Sequence, residues 1–180
     1  MAGTQNAEHL IDKTRTDADK NAVCTFLIHA AMLAGVLFVL FGIIFGLSAV
    51  PDDSMEPVLS AGDLVFYYRL DRDFRRDDIV VYEANGEMRT GRIAAGPGDS
   101  VEVSEDNHLY INGSRILEND IFYETVRFDS DINYPVTLGD GEYFILCDHR
   151  DTGMDSRYFG AVDGTDIKGK LFAAIRREGF

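Results

Sequence analysis

The stretch VCTFLIHAAMLAGVLFVLFGIIFGLSAV, from Val23 to Val50, contains no charged residue and consists mainly of Leu, Val, Ile, Phe, Ala and Gly. About 20 apolar residues in a helix cross a bilayer core, so this stretch suffices even for a tilted helix. It is also longer than the apolar part of a cleaved secretory signal, which has about 7–15 residues. The sequence therefore predicts an uncleaved transmembrane anchor at 23–50, preceded by a short segment at 1–22 and followed by one domain at 51–180.

The basic residues beside this anchor indicate its orientation. Lys13, Arg15 and Lys20 precede the anchor, and the first basic residue after it is Arg69. Flanks rich in Lys and Arg stay in the cytoplasm, so we expect a cytoplasmic N-terminus and an extracytoplasmic domain. The predicted location is the cell membrane, with a single pass.

Charge and cysteine content disfavour several classes of function. The formal net charge of −14 at pH 7 argues against nucleic acid and anionic lipid as partners. The two cysteines, Cys24 in the anchor and Cys147 in the domain, form no disulfide framework, and we expect Cys147 to be buried. No set of Cys and His has the spacing of metal ligands, so we expect no metal and no other cofactor.

The chain after the anchor has the pattern of short strands and turns. Runs of β-branched and aromatic residues bounded by Gly, Asp and Asn predict strands at 63–68, 79–82, 100–103 and 143–147. Asn112-Gly113, between two further short runs, predicts a hairpin with a tight primed turn. We find no helical period of useful length in this part. The expected domain is mainly β and antiparallel, with a small inserted β lobe at about 104–140.

Three segments that follow the anchor carry a family resemblance. Ser54-Met55-Glu56-Pro57-Val58-Leu59, followed by Gly62-Asp63, resembles the Ser-Met-x-Pro-Thr-Leu and Gly-Asp segment of bacterial type I signal peptidases. The run from Arg92 to Asp99 is similar to their Lys-Arg…Gly-x-Pro-Gly-Asp segment without its Lys. The run from Asp148 to Val162 resembles their Gly-Asp-Asn-Arg-Asp…Asp-Ser-Arg segment. The three motifs stand in the family's order behind an anchor, so the resemblance covers roughly 23–162.

This resemblance implies a membrane-bound serine endopeptidase that removes signal peptides from exported proteins with a Ser–Lys dyad. The implied fold is an anchor helix plus a signal-peptidase-like antiparallel β domain, with the substrate chain held along an exposed strand edge. Ser54 matches the nucleophile and Met55 follows it in the motif, while Asp155 and Arg157 match a supporting pair. The expected partners are exported proteins with signal peptides and the lipid bilayer. The expected source is a bacterium, of the Gram-positive type.

Three positions depart from the family pattern in the catalytic machinery. Gly91 stands where the family has the Lys that takes the serine proton, and Arg92 cannot replace it because a guanidinium stays protonated. Gly153 stands where some members have a Ser that orients the Lys. Asp52 stands where a Ser or Gly usually borders the oxyanion hole, and a carboxylate there raises the barrier unless it points away.

These departures leave more than one interpretation open. His149, in place of the family's Asn, is an alternative base, although it is also suited to the structural hydrogen bonds of that Asn. Retention of Ser54 favours a signal peptidase I-like enzyme with an unconventional base or one lent by a partner, which is the interpretation we adopt from sequence. The alternative is a catalytically impaired relative that binds or assembles exported proteins such as pilins. An unrelated single-pass receptor is disfavoured by the ordered motifs.

Overall fold

The computed structural model describes residues 21–118 and 121–177. Backbone contacts divide the chain into a first unit, Met1–Ile43, and a second unit, Ile44–Phe180. Most of the predicted cytoplasmic segment 1–22 lies outside the described residues.

An apolar helix, α1, spans Asn21–Ile44 and is long and apolar enough to cross a membrane. Its last part, Val39–Ile44, is π-helical. The ring of His29 bonds locally, with Nδ1 2.8 Å from the carbonyl oxygen of Thr25, so the imidazole is satisfied within the helix. The sequence therefore contains one candidate membrane span among the described residues, at the place where its apolar stretch lies.

The predicted anchor extends to Val50, but the helix stops earlier. Phe45–Ala49 forms the first strand, β1, which pairs antiparallel with the second strand, β2, at Leu64–Tyr68. A short apolar run such as Phe45–Ala49 is compatible with either a helix or a strand. Pairing with a segment that is distant in sequence decides between the two. The last residues of the apolar stretch therefore belong to the β domain.

Seven strands form the main sheet, in the order β1-β2-β11-β3-β4-β9-β10. All of its pairs are antiparallel. The remaining strands of this sheet are β3 at Ile79–Ala84, β4 at Glu87–Ala95, β9 at Glu142–Leu146, β10 at Val162–Asp163 and β11 at Ile167–Ile175. The prediction of a mainly β, antiparallel fold behind an apolar helix is confirmed.

A second sheet of four strands corresponds to the predicted inserted lobe. Its order is β7-β6-β5-β8, with β5 at Ser100–Val103, β6 at Leu109–Ile111, β7 at Ser114–Arg115 and β8 at Val136–Thr137. Asn112 and Gly113 have φ of 53° and 76°, which a primed turn requires, so the hairpin formed as expected. Because β5 is part of this sheet, the lobe begins before residue 104.

Two long strands have no counterpart in the sequence prediction. In β4 and in β11, glycine and charged residues interrupt the apolar pattern, and β11 also contains a bulge between Leu171 and Ala173. A single helical turn, α2 at Ser156–Phe159, is likewise too short for a period to show. These elements are stabilised by their neighbours in the sheet rather than by local propensity.

Two core clusters meet at strand β3 and position the site. Val81 packs in one cluster with Met55 and Leu59, which belong to the first motif. Tyr82, the next residue, points to the other face and packs with Ile93 and Ile145. Alternate residues of a strand face opposite sides, so β3 connects the serine turn with the strands that carry the second and third motifs.

Candidate active site

The serine of the first motif sits on a tight turn at 51–60 that two buried side chains hold in place. Met55 and Leu59 are 0% and 1% exposed. The amide of Leu59 donates to the carbonyl oxygen of Met55 at 2.9 Å. The amide of Val50 donates to the backbone carbonyl oxygen of Asp63 at 2.8 Å. Burial of these side chains fixes the backbone between them, and Ser54, 9% exposed, therefore has a defined position.

The third motif lies against this turn. The backbone amide of His149 donates to the carbonyl oxygen of Ser54 at 2.9 Å. Asp155 caps α2 by accepting from the amide of Arg157 at 3.0 Å, and it also accepts from the amide of Cys147 at 3.0 Å. The carboxylate of Asp155 and the guanidinium of Arg157, both 0% exposed, are 2.8 Å apart. The pair thus supports the backbone beside Ser54 and does not face substrate.

An ion pair links the second motif to the third. Arg92 in β4 donates from Nε to Asp148 Oδ1 at 2.8 Å and from Nη2 to Asp148 Oδ2 at 2.6 Å. A bidentate pair of this kind fixes the relative position of its two segments. The guanidinium stays charged in this pair, so Arg92 holds the site together and accepts no proton.

The space beside Gly91, where a lysine side chain would start, is filled. A Cβ atom added at Gly91 would lie 2.6 Å from Ile145 Cγ2, 3.2 Å from Tyr82 Cε1 and 3.3 Å from the carbonyl oxygen of Leu146. Gly91 pairs with Val80 across β3 and β4, so the Tyr82 side chain lies diagonally opposite it on the same face. The ring of Tyr82 and the methyl group of Ile145 therefore occupy this position.

The space beside Gly153, the position of the orienting serine, is filled as well. A Cβ atom there would overlap Cβ and Sγ of Cys147 and lie 3.3 Å from Ser54 Cβ. Cys147 is 2% exposed, as the sequence predicts, and its side chain and that of Ser54 both lie against the Cβ position of Gly153. The family segment has a glycine immediately before its Asp, where this chain has Cys147. A side chain lost at 153 is thus replaced by one gained at 147.

The two titratable side chains among those that fill these spaces, Cys147 and Tyr82, keep their protons at neutral pH. Burial raises the pKa of Cys147 to about 12, the negative charge of Asp155 adds to the rise, and the Ser54 side chain opposes it. Burial also raises the pKa of Tyr82 well above its usual value, and its hydroxyl has no hydrogen-bond partner among the described residues. At neutral pH the thiol and the phenol are both uncharged, so neither can act as a general base.

Asp52 points toward the nucleophile. Its Oδ1 accepts a hydrogen bond from the backbone amide of Ser54 at 3.0 Å. An amide in this position is a donor that a serine peptidase would direct at the developing oxyanion. In this chain the Asp52 carboxylate already accepts from that donor and brings negative charge next to Ser54.

His149 approaches Ser54 through its backbone and not through its ring. The imidazole stacks on Tyr123, with centroids 4.1 Å apart and planes inclined by 22°. Its Nδ1 is buried without a hydrogen-bond partner in the described part of the chain. The ring makes no hydrogen bond to the Ser54 hydroxyl within residues 21–118 and 121–177. The hydrogen bond that joins His149 to the serine turn is therefore that of its backbone amide, and the ring is positioned by stacking on Tyr123.

The lysines of the described ranges are engaged elsewhere. Lys168 pairs with Glu83 at 2.9 Å. Lys170 lies 2.9 Å from Asp78 and 3.1 Å from Asp71. Both lysines belong to β11 and pair with carboxylates outside the serine turn, so neither replaces the missing base.

Sequence reasoning did not select Tyr82 or place Cys147 in the site. Tyr82 ends a strand that the sequence predicts, but its relation to Gly91 depends on β4, which the sequence does not predict. The sequence did contain a signal for Cys147. The chain has Cys147 where the family segment has a glycine, and six positions later it has Gly153 where some members have a serine.

The family model described as "Signal peptidase, peptidase S26" matches residues 22–175, and the chain belongs to this family. The resemblance deduced from the motifs is thereby confirmed.

Curated relatives include proteins named as signal peptidases and one named as inactive. The chain is 34% identical over 135 residues to a probable signal peptidase I-2 of Synechocystis. The aligned region covers 68% of this chain and 59% of the relative. It is 31% identical over 156 residues to signal peptidase I of Bacillus licheniformis, covering 79% and 83% of the two chains. It is 32% identical over 143 residues to inactive signal peptidase IA of Staphylococcus aureus, covering 76% and 81%.

Proposed function

We propose that this chain is a membrane-anchored signal peptidase relative that binds signal-peptide-bearing exported polypeptides and does not hydrolyse them. The observation that carries the proposal is that the Ser54 hydroxyl has no proton acceptor among the titratable side chains described above. Burial raises the pKa of Cys147, a titratable side chain beside Ser54, to about 12, so the thiol keeps its proton at neutral pH. Lys168 and Lys170 pair with carboxylates outside the serine turn. A serine hydroxyl without a proton acceptor is a weak nucleophile.

The same site lacks a second requirement of acyl transfer. The amide of Ser54 donates to Asp52, which leaves it unavailable to a tetrahedral intermediate. Loss of one oxyanion-hole donor costs about 2.7–4 kcal/mol of transition-state stabilisation, and loss of the base adds to that cost. Binding of a polypeptide needs neither group, so a strand laid along the sheet edge keeps its main-chain hydrogen bonds.

The remaining features suit a binding protein at the membrane. The apolar helix Asn21–Ile44 would hold the domain in the plane where signal peptides reside, which raises their effective concentration. Lys13, Arg15 and Lys20 favour a cytoplasmic N-terminus. The relative named inactive signal peptidase IA supports loss of hydrolysis within this family. Pilins are one class of exported polypeptide that such a protein would hold.

A cleavage and binding assay tests the proposal. The purified full chain in detergent is incubated with a precursor that carries its signal peptide, beside Ser54→Ala and the control Ser114→Ala. Ser114 lies in β7 and is exposed, so its substitution leaves the serine turn intact. We expect no processed product from any of the three proteins, and equal retention of the precursor by all of them in a pull-down.

A working peptidase is the second candidate function, and the retention of Ser54 on a well-packed turn favours it. Product that forms with the parent and with Ser114→Ala, but not with Ser54→Ala, would establish hydrolysis and refute the proposal. Failure of all three proteins to retain the precursor would refute the binding function.

A further inference from the structure

The turn that carries Ser54 forms one wall of a cavity of about 450 Å³. The cavity is lined by Glu56, Pro57, Ser60, Phe122 and Tyr123. Glu56 follows Ser54 by two positions, and Tyr123 stacks on His149, whose amide bonds the carbonyl oxygen of Ser54. The cavity therefore adjoins the place where a polypeptide bound along the serine turn would run.

The chemistry of the lining is that of a cation site. Phe122 is 78% exposed, so the face of its ring is accessible to a ligand in the cavity. The faces of aromatic rings attract cations, and a carboxylate beside them adds direct attraction. Glu56 forms no ion pair with any residue in the described ranges.

Further negative charge on the turn that forms the cavity wall reinforces this preference. Asp52 and Asp53 precede Glu56 on the same turn, and each accepts a backbone amide, from Ser54 at 3.0 Å and from Ala61 at 2.7 Å. The nearest cation that touches the turn is Arg176, whose Nη2 is 3.4 Å from the carbonyl oxygen of Pro57. That guanidinium approaches the backbone and leaves the carboxylate of Glu56 unpaired.

We propose that this cavity is a subsite for a lysine or arginine side chain of the bound polypeptide. The inference rests on the proposed binding function and specifies which polypeptides the groove prefers. An acidic side chain would be repelled by the three carboxylates of the turn. An apolar side chain would fill the aromatic part and remove water from Glu56 without pairing it, which costs free energy.

Peptide binding to the full chain in detergent tests this subsite. The probes are peptides that span a signal-peptide cleavage region, neutral except for a single lysine moved through successive positions, with norleucine at the same position as the matched peptide. We expect the lysine peptide to bind three- to tenfold more tightly than its norleucine partner at one or two adjacent positions. The difference should shrink as ionic strength rises.

Three variants separate the subsite from the rest of the groove. Glu56→Gln should abolish the lysine preference, because it removes the charge that pairs with lysine and the charge that norleucine desolvates. Phe122→Leu should halve the lysine preference, because it removes one aromatic face and keeps the carboxylate. Glu105→Gln makes the same chemical change at an exposed site between β5 and β6 and should preserve the preference.

The outcomes distinguish this subsite from the proposed function. Equal binding of lysine and norleucine peptides at every position would refute the subsite and leave the groove as a binding site. A preference that survives Glu56→Gln would also refute it. Failure of all peptides to bind would refute both the groove and the subsite.

Discussion

At the scale of single residues, two glycines and the side chains packed on them determine what Ser54 can do. Ile145 and Tyr82 fill the space beside Gly91, and Cys147 fills the space beside Gly153. Protein interiors are close-packed, so a side chain lost in evolution does not leave a ready vacancy for its return. The missing lysine is therefore not a single substitution that one reversal would repair.

Gly91→Lys alone should not generate peptidase activity. The new Cβ would lie 2.6 Å from Ile145 Cγ2, and overpacking of this kind costs about 1–3 kcal/mol. We expect a lowered Tm in detergent and no processing of a signal-peptide precursor. Gly91→Ala is the matched control, since it introduces the same Cβ without the amine and should lose stability to a similar extent. Ser54-dependent cleavage by Gly91→Lys would contradict this expectation.

Cys147 and Gly153 should behave as a coupled pair. Gly153→Ser alone would place its Cβ against Cβ and Sγ of Cys147 and should destabilise the chain. Adding Cys147→Gly to Gly153→Ser removes the overlap and should recover stability. A double-mutant cycle on unfolding free energies should give a coupling of about 0.5–3 kcal/mol, and additive effects would show that the thiol does not occupy the serine space.

At the scale of elements, buried ion pairs join the loop after β9 to the rest of the domain. Arg92 brings in β4 through Asp148, and Arg157 brings α2 onto the same loop through Asp155. Arg157 also donates to the carbonyl oxygens of Arg150 and Val126, at 2.8 and 3.2 Å. These contacts explain why the third motif is retained although the lysine is absent, because its charged residues stabilise the fold.

Arg157→Leu should destabilise the domain severely. It would leave the buried Asp155 carboxylate without its cation, at a cost of about 3–5 kcal/mol. Asp155→Asn combined with Arg157→Leu should lose less than Arg157→Leu alone, because no unpaired charge remains. Chemical denaturation of the full chain in detergent measures both. The control is Arg75→Leu, which breaks an exposed pair with Asp73 and should change stability little. An equal loss in Arg157→Leu and Arg75→Leu would refute a structural role for the buried pair.

At the scale of the whole molecule, the chain joins an apolar helix to a β domain of high negative charge. The motifs that assign the family are dispersed over the domain, and antiparallel pairing brings them to one place. A substitution in one motif should therefore change the unfolding free energy of the entire domain. The pH dependence of the unfolding free energy, which a buried titratable group of the site contributes to, measures this coupling.

Stability should fall at alkaline pH, and Cys147 should contribute the first part of the fall. Its pKa rises from a model-compound value of 9.0 to about 12 in the folded chain. A raised pKa means that the folded state holds the proton more tightly, so the stabilisation is complete below pH 9 and is lost as pH rises toward 12. One such group gives a slope of about 1.4 kcal/mol per pH unit.

Cys147→Ala tests this assignment. Thermal unfolding of the full chain between pH 8 and pH 10 should show a shallower decline for the variant than for the parent, since Tyr82 contributes only above the ordinary tyrosine value of 10.0. Parallel curves over that range would show that the thiol is not the titrating group.

The sequence by itself determined the family and the absence of its usual Lys, since both follow from residue types in covalent order. The uncharged stretch predicts the membrane helix, and the order of three motifs locates Ser54 and Gly91 without any coordinates. The hairpin at Asn112-Gly113 was likewise predictable, because positive φ is a local preference of these residues.

Only the tertiary structure decided which side chains replaced the lost ones. Tyr82 contacts Gly91 because β3 pairs with β4. Cys147 lies close to Ser54, although most of the domain's sequence separates the two residues. The end of the apolar stretch became β1 for the same reason, because a partner strand was available. Contacts between distant segments arise from packing and not from local propensity. The protonation of the site, and with it the proposed loss of hydrolysis, therefore depends on the folded chain.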